Sequence, residues 1–241
     1  MIQIQNLDHL IDVIEKEIQA KGVDVDLNHL DVSGLTELCE VFSTAGIRSQ
    51  FNGDISRWDV SNVTNMSLLF SNSVFNGDIS RWNVSNVTDM HCMFARSAFN
   101  QDISKWDVSR VVNMQSMFLS AIFNQPLNDW DVSNVENMWC MFHFARFNRP
   151  LNRWNVKKVK TGGLMFAMAL DFEEDVSGWE IASEASFESA WMHSGWSKKL
   201  GVVSPSWEEI ARFCQKEQWR RHHEQQWVGE DEWSERPRAR L

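Results

Sequence analysis

A period of 24 residues constrains the fold of this chain more than any other feature of its sequence. Five consecutive segments follow one pattern, Phe-Asn-x-(Asp/Pro)-(Ile/Leu)-(Ser/Asn)-x-Trp-(Asp/Asn)-Val and then Val, Met and Met-Phe, and they begin at Phe51, Phe75, Phe99, Phe123 and Phe147. A unit this short cannot bury its own apolar side chains, so it has to stack on its neighbours. The period therefore predicts a solenoid, and weaker copies extend it to about seven repeats over residues 23–203.

The positions of a repeat, counted from its first Phe, have distinct physical roles. Positions 1, 5, 8, 10, 13, 16, 19 and 20 are apolar in nearly every copy, which predicts a stacked interior. We expect the position-8 indoles to form one hidden column: Trp58, Trp82, Trp106, Trp130, Trp154 and Trp179. Alternation around Trp-x-Val favours a short parallel strand. The Met and Met-Phe spacing of residues 64–70 favours a short helix, so the predicted fold class is an α/β repeat.

Two polar positions also recur. Asn at position 2 predicts a ladder that bonds the backbone of adjacent coils, because buried backbone groups need such partners. Asp at position 4 is replaced by Pro126 and Pro150 in two copies. A residue that exchanges with proline serves a turn, so we assign position 4 to a side-chain bond within a turn rather than to a metal.

The predicted solenoid ends in a different kind of segment on each side. Residues 1–22 form an amphipathic capping helix, with Asn6 at its start and Gly22 at its end. Ser206-Trp207-Glu208-Glu209 has the spacing of a capping box and starts a second capping helix within residues 204–241. The chain after Gln218 keeps Trp219 and Trp227 but loses the period, which suits either a partner-binding tail or a segment that folds back on the solenoid.

The segment from Phe51 to Met66 resembles the repeat of the BspA-like leucine-rich-repeat family of bacterial surface proteins, and the likeness extends over about residues 23–203. The resemblance implies a right-handed leucine-rich-repeat-like solenoid, a role in adhesion or protein recognition, and no catalytic residues. Members of that family commonly carry an export signal or a lipid-attachment cysteine. We expect neither here, because residues 1–5 lack a basic start and the next stretch is amphipathic.

Cysteine spacing bears on the cellular compartment. Cys92 and Cys140 occupy the same repeat position two coils apart, which places them about 9 to 10 Å apart in a stack that rises about 4.8 Å per coil. That separation is too long for a disulfide. With Cys39 and Cys214 they form no paired framework, so the expected location is the cytoplasm. The alternative is the cell surface or secretion, with a signal removed or an export route that needs none.

Charge is unevenly distributed along the chain and marks the candidate site. The sixth coil gathers basic residues without an acid between Phe147 and Lys160, and it carries Gly162 where other copies place an apolar core residue, which we expect to weaken the packing of this coil. A repeat that breaks its own rule is a candidate for function, although solvated surface charge explains the same pattern. The hypothetical protein-binding residues are Asp129, Asp131, Arg149, Arg153, Lys157, Lys158, Lys160, Trp219 and Trp227.

The sequence indicates a binding protein rather than an enzyme. No spacing suggests a catalytic triad or dyad, a zinc site or a P-loop, so we predict no catalytic residues, metal, cofactor or small-molecule substrate. The net charge of −10 argues against nucleic acid as the partner, and no stretch is predicted to span a membrane. We expect an intracellular recognition or inhibitor module of the immunity or effector type. The alternatives are a surface adhesin, and anion or nucleic-acid binding at the basic sixth coil.

Overall fold

Successive repeats of the chain stack on one another in register. In the computed structural model, which describes residues 1–43 and 46–217, parallel bridges join position 15 of neighbouring repeats. The bridged residues are Glu37, Asn65, Asp89, Asn113, Asn137, Thr161 and Ser186. Each repeat thus forms one coil of a stack of seven, numbered here from coil 1 at residue 23. Trp219 and Trp227 lie outside the described residues.

Regular secondary structure is concentrated at the two ends of this stack. Strand β1 (Ile2–Gln3) pairs in parallel with β2 (Leu30–Asp31) in coil 1. Helix α1 (Leu7–Lys21) follows β1, and a 3-10 turn covers Arg48–Gln50. Helix α2 (Gly195–Leu200) follows coil 7, and residues 207–217 are also helical. None of the helices in the described ranges is long and apolar enough to cross a bilayer.

The interior consists of aromatic columns that run along the stack. The position-8 indoles are 2–4% exposed, which confirms the predicted hidden column. Trp58 and Trp82 lie with ring centroids 6.3 Å apart and planes within 3°, an offset stack. Each indole also donates a hydrogen bond to the position-5 carbonyl of the preceding coil, for example Trp106 Nε1 to Ile79 O at 3.1 Å. Two phenylalanine columns, at positions 1 and 20, pack beside the indoles.

Within a coil the backbone differs from the predicted strand and helix. Residues 58–60 form no strand, and residues 64–70 run as turns with one bridge at Asn65. The reason is that positions 18 and 22 adopt left-handed backbone, as at Leu68 (φ 60°) and Asn72 (φ 55°), which interrupts a helix. Alternate N–H groups then face the next coil, as when Leu68 N donates to His91 O at 2.8 Å. The coil satisfies its backbone by bonding to its neighbours.

The predicted asparagine ladder is confirmed. Asn100 N donates to Asn76 Oδ1, and Asn124 N donates to Asn100 Oδ1, both at 2.8 Å. The ladder continues to Glu173 N, which donates to Asn148 Oδ1 at 3.3 Å. Each step bonds the backbone of one coil to a side chain of the coil before it, so the ladder holds the register of the stack.

Aspartates at position 4 close turns, as predicted. Asp54, Asp78 and Asp102 each accept a bond from the amide of the serine two residues later, at 2.8–2.9 Å. Position 9 forms the same turn, which the sequence interpretation missed: Asp107 Oδ1 accepts from Ser109 N at 3.0 Å. Position 9 therefore shapes the coil rather than serving only as an outward polar residue.

The two predicted helix caps are confirmed. Asn6 Oδ1 accepts from His9 N at 2.9 Å at the start of α1, and Gly22 N donates to Ile18 O at its end. The buried face of α1 joins the core at the coil 1 end of the stack. At the other end, Ser206 N donates to a Glu209 carboxylate oxygen and Glu209 N donates to Ser206 Oγ, which is a reciprocal capping box.

Gly162 does not weaken the packing of coil 6, contrary to the interpretation from sequence. A Cβ at Gly162 would lie 2.3 Å from the ring of Phe187, so the glycine makes room for an aromatic side chain of coil 7. A Cβ at Gly163 would meet Trp139 of coil 5 at 3.2 Å. The glycine pair therefore fits coil 6 between two bulky neighbours.

Candidate protein interface

The basic residues of coil 6 are paired with neighbouring coils. Arg153 Nη1 lies 2.6 Å from Asp129 Oδ1. Lys157 lies 2.7 Å from Glu180, and Lys160 lies 2.7 Å from Glu136. Lys158 Nζ donates to Asn134 Oδ1 at 2.6 Å. The coil is therefore not the uncompensated basic band that its sequence suggested, because acids of the two adjacent coils supply the missing negative charge.

Asp131 and Arg149, two other predicted site residues, have different surroundings. Asp131 Oδ1 accepts from Ser133 N at 3.0 Å, so its carboxylate closes a turn. Arg149 Nε donates to Asn124 O at 3.0 Å, and its side chain lines a surface groove. The structure thus brings Asp129 and Arg153 together but places Arg149 at a separate surface.

That groove lies between coils 5 to 7 and α2 and has a volume of about 670 Å³. Its floor includes the asparagine ladder, and one wall is α2. The first residue of α2, Gly195, packs closely against coil 7. A Cβ atom at this position would lie only 2.6 Å from Phe172 O, so the close approach requires glycine. Trp196 is buried and its Nε1 donates to Glu174 O at 3.1 Å. These contacts hold Lys198 and Lys199 of α2 over the groove.

Cations dominate the lining of the groove. Arg146, Arg149, Lys198 and Lys199 face two acids, Asp171 and Glu173. Lys199 lies 3.5 Å from Glu173 and 4.7 Å from the centroid of the Trp196 ring. Among the described residues, the side chains of Arg146 and Lys198 form no ion pair. Arg149 also lacks an ion pair within the described part of the chain, so three cations of the groove are available to an incoming ligand.

Exposed apolar side chains lead along the stack to the groove. The residues at position 24 of successive coils lie in one file along the stack. Their place is fixed by backbone bonds to the preceding coil, as when Arg146 N donates to Ala121 O. This file holds Val74, Ala98, Ile122, Arg146 and Leu170. Ile122 is 48% exposed, Leu170 is 66% exposed, and Phe144 at position 22 is 52% exposed. We call Ile122, Phe144, Arg146, Leu170 and Lys198 the apolar-basic face.

Sequence reasoning missed this face. Position 24 stays apolar in most copies although it is not part of the core, and that pattern was the available signal. Nothing in the sequence connects Lys198 with Arg146, because α2 brings them to one groove only through its packing on coil 7.

Two cysteine–histidine contacts were also not suggested by spacing. Cys92 Sγ lies 3.2 Å from His91 Nε2, and Cys140 Sγ lies 3.6 Å from His143 Nδ1. Burial raises the pKa of the Cys140 thiol to about 11, and burial also raises the pKa of Cys92. An activated cysteine has a lowered pKa, so neither contact forms a poised nucleophile. All four cysteines are free.

Comparison with known families settles where the repeat belongs. The family model described as "Mycoplasma protein of unknown function, DUF285" matches residues 14–122 and 96–198, which together span the coils from α1 to α2. The chain belongs to the DUF285 family. No curated protein and no solved structure matches it. DUF285 membership agrees with the repeat architecture and assigns no activity, so function has to be argued from the apolar-basic face.

Proposed function

We propose that this DUF285 protein binds another protein through its apolar-basic face and that it performs no catalysis. The observation that carries the proposal is the exposure of Ile122, Phe144 and Leu170 beside the cations of Arg146 and Lys198, for which the described residues supply no ion pair. Large apolar side chains exposed together on a soluble surface mark interaction sites. Aromatic and arginine residues are also those enriched where proteins meet.

The charge of the face indicates the chemistry of the partner. An acidic partner would neutralise Arg146 and Lys198, and complementary charge would raise the association rate and favour that partner over others. The ion pairs of Lys157 and Lys160 count against the alternative of nucleic-acid or anion binding at coil 6, because their charges are already compensated. We therefore retain protein recognition as the function.

We further propose that the stack is a right-handed leucine-rich-repeat-like solenoid of the BspA type. The near-verbatim Trp-Asp-Val-Ser-Asn-Val pattern supports this assignment. Experimental determination of the coordinates would test it, since a left-handed winding of the coils would contradict the BspA-type assignment.

The proposed setting is the cytoplasm, where the protein acts as a recognition or inhibitor module. The support is the placement of Cys92 and Cys140 on one file, with thiols that are not bonded to each other. The BspA resemblance supports the alternative, a surface adhesin. Fractionation of cells with an antibody to the chain distinguishes the two, because recovery in the membrane or medium fraction contradicts the cytoplasmic setting.

The experiment that tests binding compares two changes on the apolar-basic face with one matched control change elsewhere on the surface. Immobilised wild-type protein and the variants Phe144→Asp, Leu170→Asp and Val112→Asp are incubated with an extract of the producing organism, and retained proteins are quantified by mass spectrometry. Val112 is a suitable control because it is 40% exposed at position 14, away from the file. Asp suits the left-handed backbone at Phe144 (φ 58°).

The proposal requires a protein that the wild type and Val112→Asp retain and that Phe144→Asp and Leu170→Asp lose. Made singly in the wild-type chain, Arg146→Glu or Lys198→Glu should weaken retention of the same protein more at low salt than at high salt. Identical retained sets for all variants would contradict the proposal.

A further inference from the structure

The coils are joined by a row of hydrogen bonds that all point the same way. N–H groups at positions 16, 18, 20 and 22 of one coil donate to carbonyls at positions 15, 17, 19 and 21 of the next. In coil 4, for example, Ser116 N donates to Trp139 O at 2.8 Å and Phe118 N donates to Met141 O at 2.9 Å. Coil 6 completes the row with coil 7 in the same manner, from Gly162 to Met168. The donors of each coil thus require a following coil.

No coil follows coil 7 within the residues that the structure describes, and its donor row is open there. Among residues 1–43 and 46–217, the amides of Phe187, Ser189 and Trp191 have no hydrogen-bond acceptor. In the same described residues, the fourth donor of the row, at repeat position 22, does have an acceptor: His193 N donates to Val203 O at 2.8 Å. Three donors without acceptors, on alternate residues of one coil, form an open edge of the kind to which a further polypeptide segment can bond through its main chain.

A cavity and two indoles lie beside this edge. The cavity has a volume of about 490 Å³ and is lined by residues that include Phe187, Trp191, Pro205 and Trp207. Trp191 is 1% exposed, yet its Nε1 has no hydrogen-bond partner among the described residues, and the same holds for Trp207 Nε1. Buried polar hydrogens are normally bonded, so both indoles indicate a missing acceptor. This is an observation independent of the backbone row.

We propose that a segment of another polypeptide docks on coil 7 as an additional partial coil of the stack. Its alternate carbonyls accept from the amides of Phe187, Ser189 and Trp191, which continues the coil-to-coil interface by one step. Apolar side chains of the segment enter the cavity against Phe187 and Trp191. The inference adds a second contact site to the proposed protein-binding function and does not use the apolar-basic face.

Charge at the rim specifies the segment further. Glu188 and Glu208 line the cavity and are exposed, and neither forms an ion pair among the described residues. A Lys or Arg in the docked segment would complement them. The expected occupant is therefore an apolar segment with a basic residue at one end.

A second copy of the chain fits this edge poorly. Two copies meeting at coil 7 would place N–H groups against N–H groups. A head-to-tail arrangement would require the opposite end of the stack, where the buried face of α1 already packs. The polarity of the row thus favours a segment from a different protein.

The test uses the full chain and a synthetic peptide with the sequence of residues 160–170, Lys-Thr-Gly-Gly-Leu-Met-Phe-Ala-Met-Ala-Leu. This probe has the required alternation of carbonyls, since coil 6 presents them to coil 5, and it begins with a lysine. Amide hydrogen exchange is measured residue by residue with and without peptide. The amides of Gly162, Leu164 and Phe166 are internal references, because coil 7 already bonds them.

The proposal predicts that Phe187, Ser189 and Trp191 amides exchange faster than the references in the free chain and slow by about tenfold or more at saturating peptide. Trp191→Phe, which keeps a ring at a position where other coils carry Phe, should reduce the affinity. A peptide with Lys replaced by Glu should bind more weakly. Leu170→Asp should leave the protection unchanged, so failure at this edge and failure of the apolar-basic face are distinguishable.

Two results would overturn the proposal. One is exchange at Phe187, Ser189 and Trp191 that is as slow as at the references without peptide, which would mean that another segment of the same chain or a second copy already covers the edge. The other is unchanged exchange at saturating peptide concentration.

Discussion

At the scale of single residues, the position-8 tryptophan performs two tasks. Its ring fills the core and stacks on the indole of the next coil, and its Nε1 satisfies a position-5 carbonyl of the coil before. The contrast with Trp191 is informative, because this position-20 indole has no acceptor for its N–H in the described part of the chain. The repeat position of a tryptophan therefore decides whether its N–H bonds to the neighbouring coil.

Trp106 is the residue on which to separate these two tasks. Trp106→Ala should lower the free energy of unfolding by about 3–5 kcal/mol, since it removes a buried aromatic side chain. Trp106→Phe should cost less, about 1–3 kcal/mol, because the core stays filled while Ile79 O loses its donor. Urea denaturation checks both values, and a Trp106→Phe protein as stable as the wild type would contradict the hydrogen-bonding role.

The asparagine ladder provides a second test at this scale. Asn100→Ala should lower the free energy of unfolding by about 1–3 kcal/mol, because the partly buried backbone amide of Asn124 loses its acceptor. Asn100→Asp keeps the oxygen that accepts and should cost less. Thermal unfolding compares the variants, and an Asp variant as unstable as the Ala variant would mean that the ladder oxygen is not what matters.

At the scale of the coil, backbone bonding between neighbours overrides local propensity. Periodicity located the core correctly, because apolar positions repeat whatever the backbone does between them. It did not locate the left-handed residues at positions 18 and 22. Those positions carry Leu68, Arg96 or Phe144 rather than glycine, so residue type gives no signal. Only the bonds to the next coil explain the conformation, and those involve residues 23 positions away or more.

Gly162 gives a prediction that separates the sequence pattern from the structure. The repeat favours Met at this position, so Gly162→Met restores the consensus and would be expected to stabilise the coil. The structure predicts the opposite, a loss of about 1–3 kcal/mol, because the new side chain meets the Phe187 ring. Adding Phe187→Ala should recover part of that loss. A Gly162→Met protein more stable than the wild type would contradict the packing described here.

At the scale of the whole molecule, the repeated turns give the stack a common response to acid. Hydrogen bonds from the serine two residues later, through its amide or its hydroxyl, lower the pKa of the turn carboxylates from the ordinary value of 3.8. The carboxylates involved are Asp54, Asp59, Asp78, Asp102 and Asp107. Because the same turn recurs in several coils, the small contributions of these carboxylates to the pH dependence of stability all have the same sign.

Stability should therefore fall as the pH falls through the folded-state pKa values of these groups. Their folded pKa lies below the unfolded one, so the unfolded chain binds more protons near pH 4 and the contribution is complete only above that range. Urea midpoints measured from about pH 6 to about pH 3 should decline most steeply below about pH 4. The combined change of Asp54, Asp78 and Asp102 to Asn keeps the accepting oxygens and should flatten the decline, whereas an unaltered slope would contradict this origin.

The whole account depends on coils that stack with their position-8 indoles hidden and bonded. The most direct measurement is hydrogen exchange at the indole Nε1 groups, followed by NMR. The account predicts slow exchange at Trp58, Trp82, Trp106, Trp130, Trp154 and Trp179, and rapid exchange at Trp139, which is 43% exposed. Exchange at the six indoles as fast as at Trp139 would contradict the stack and, with it, the surfaces proposed for binding.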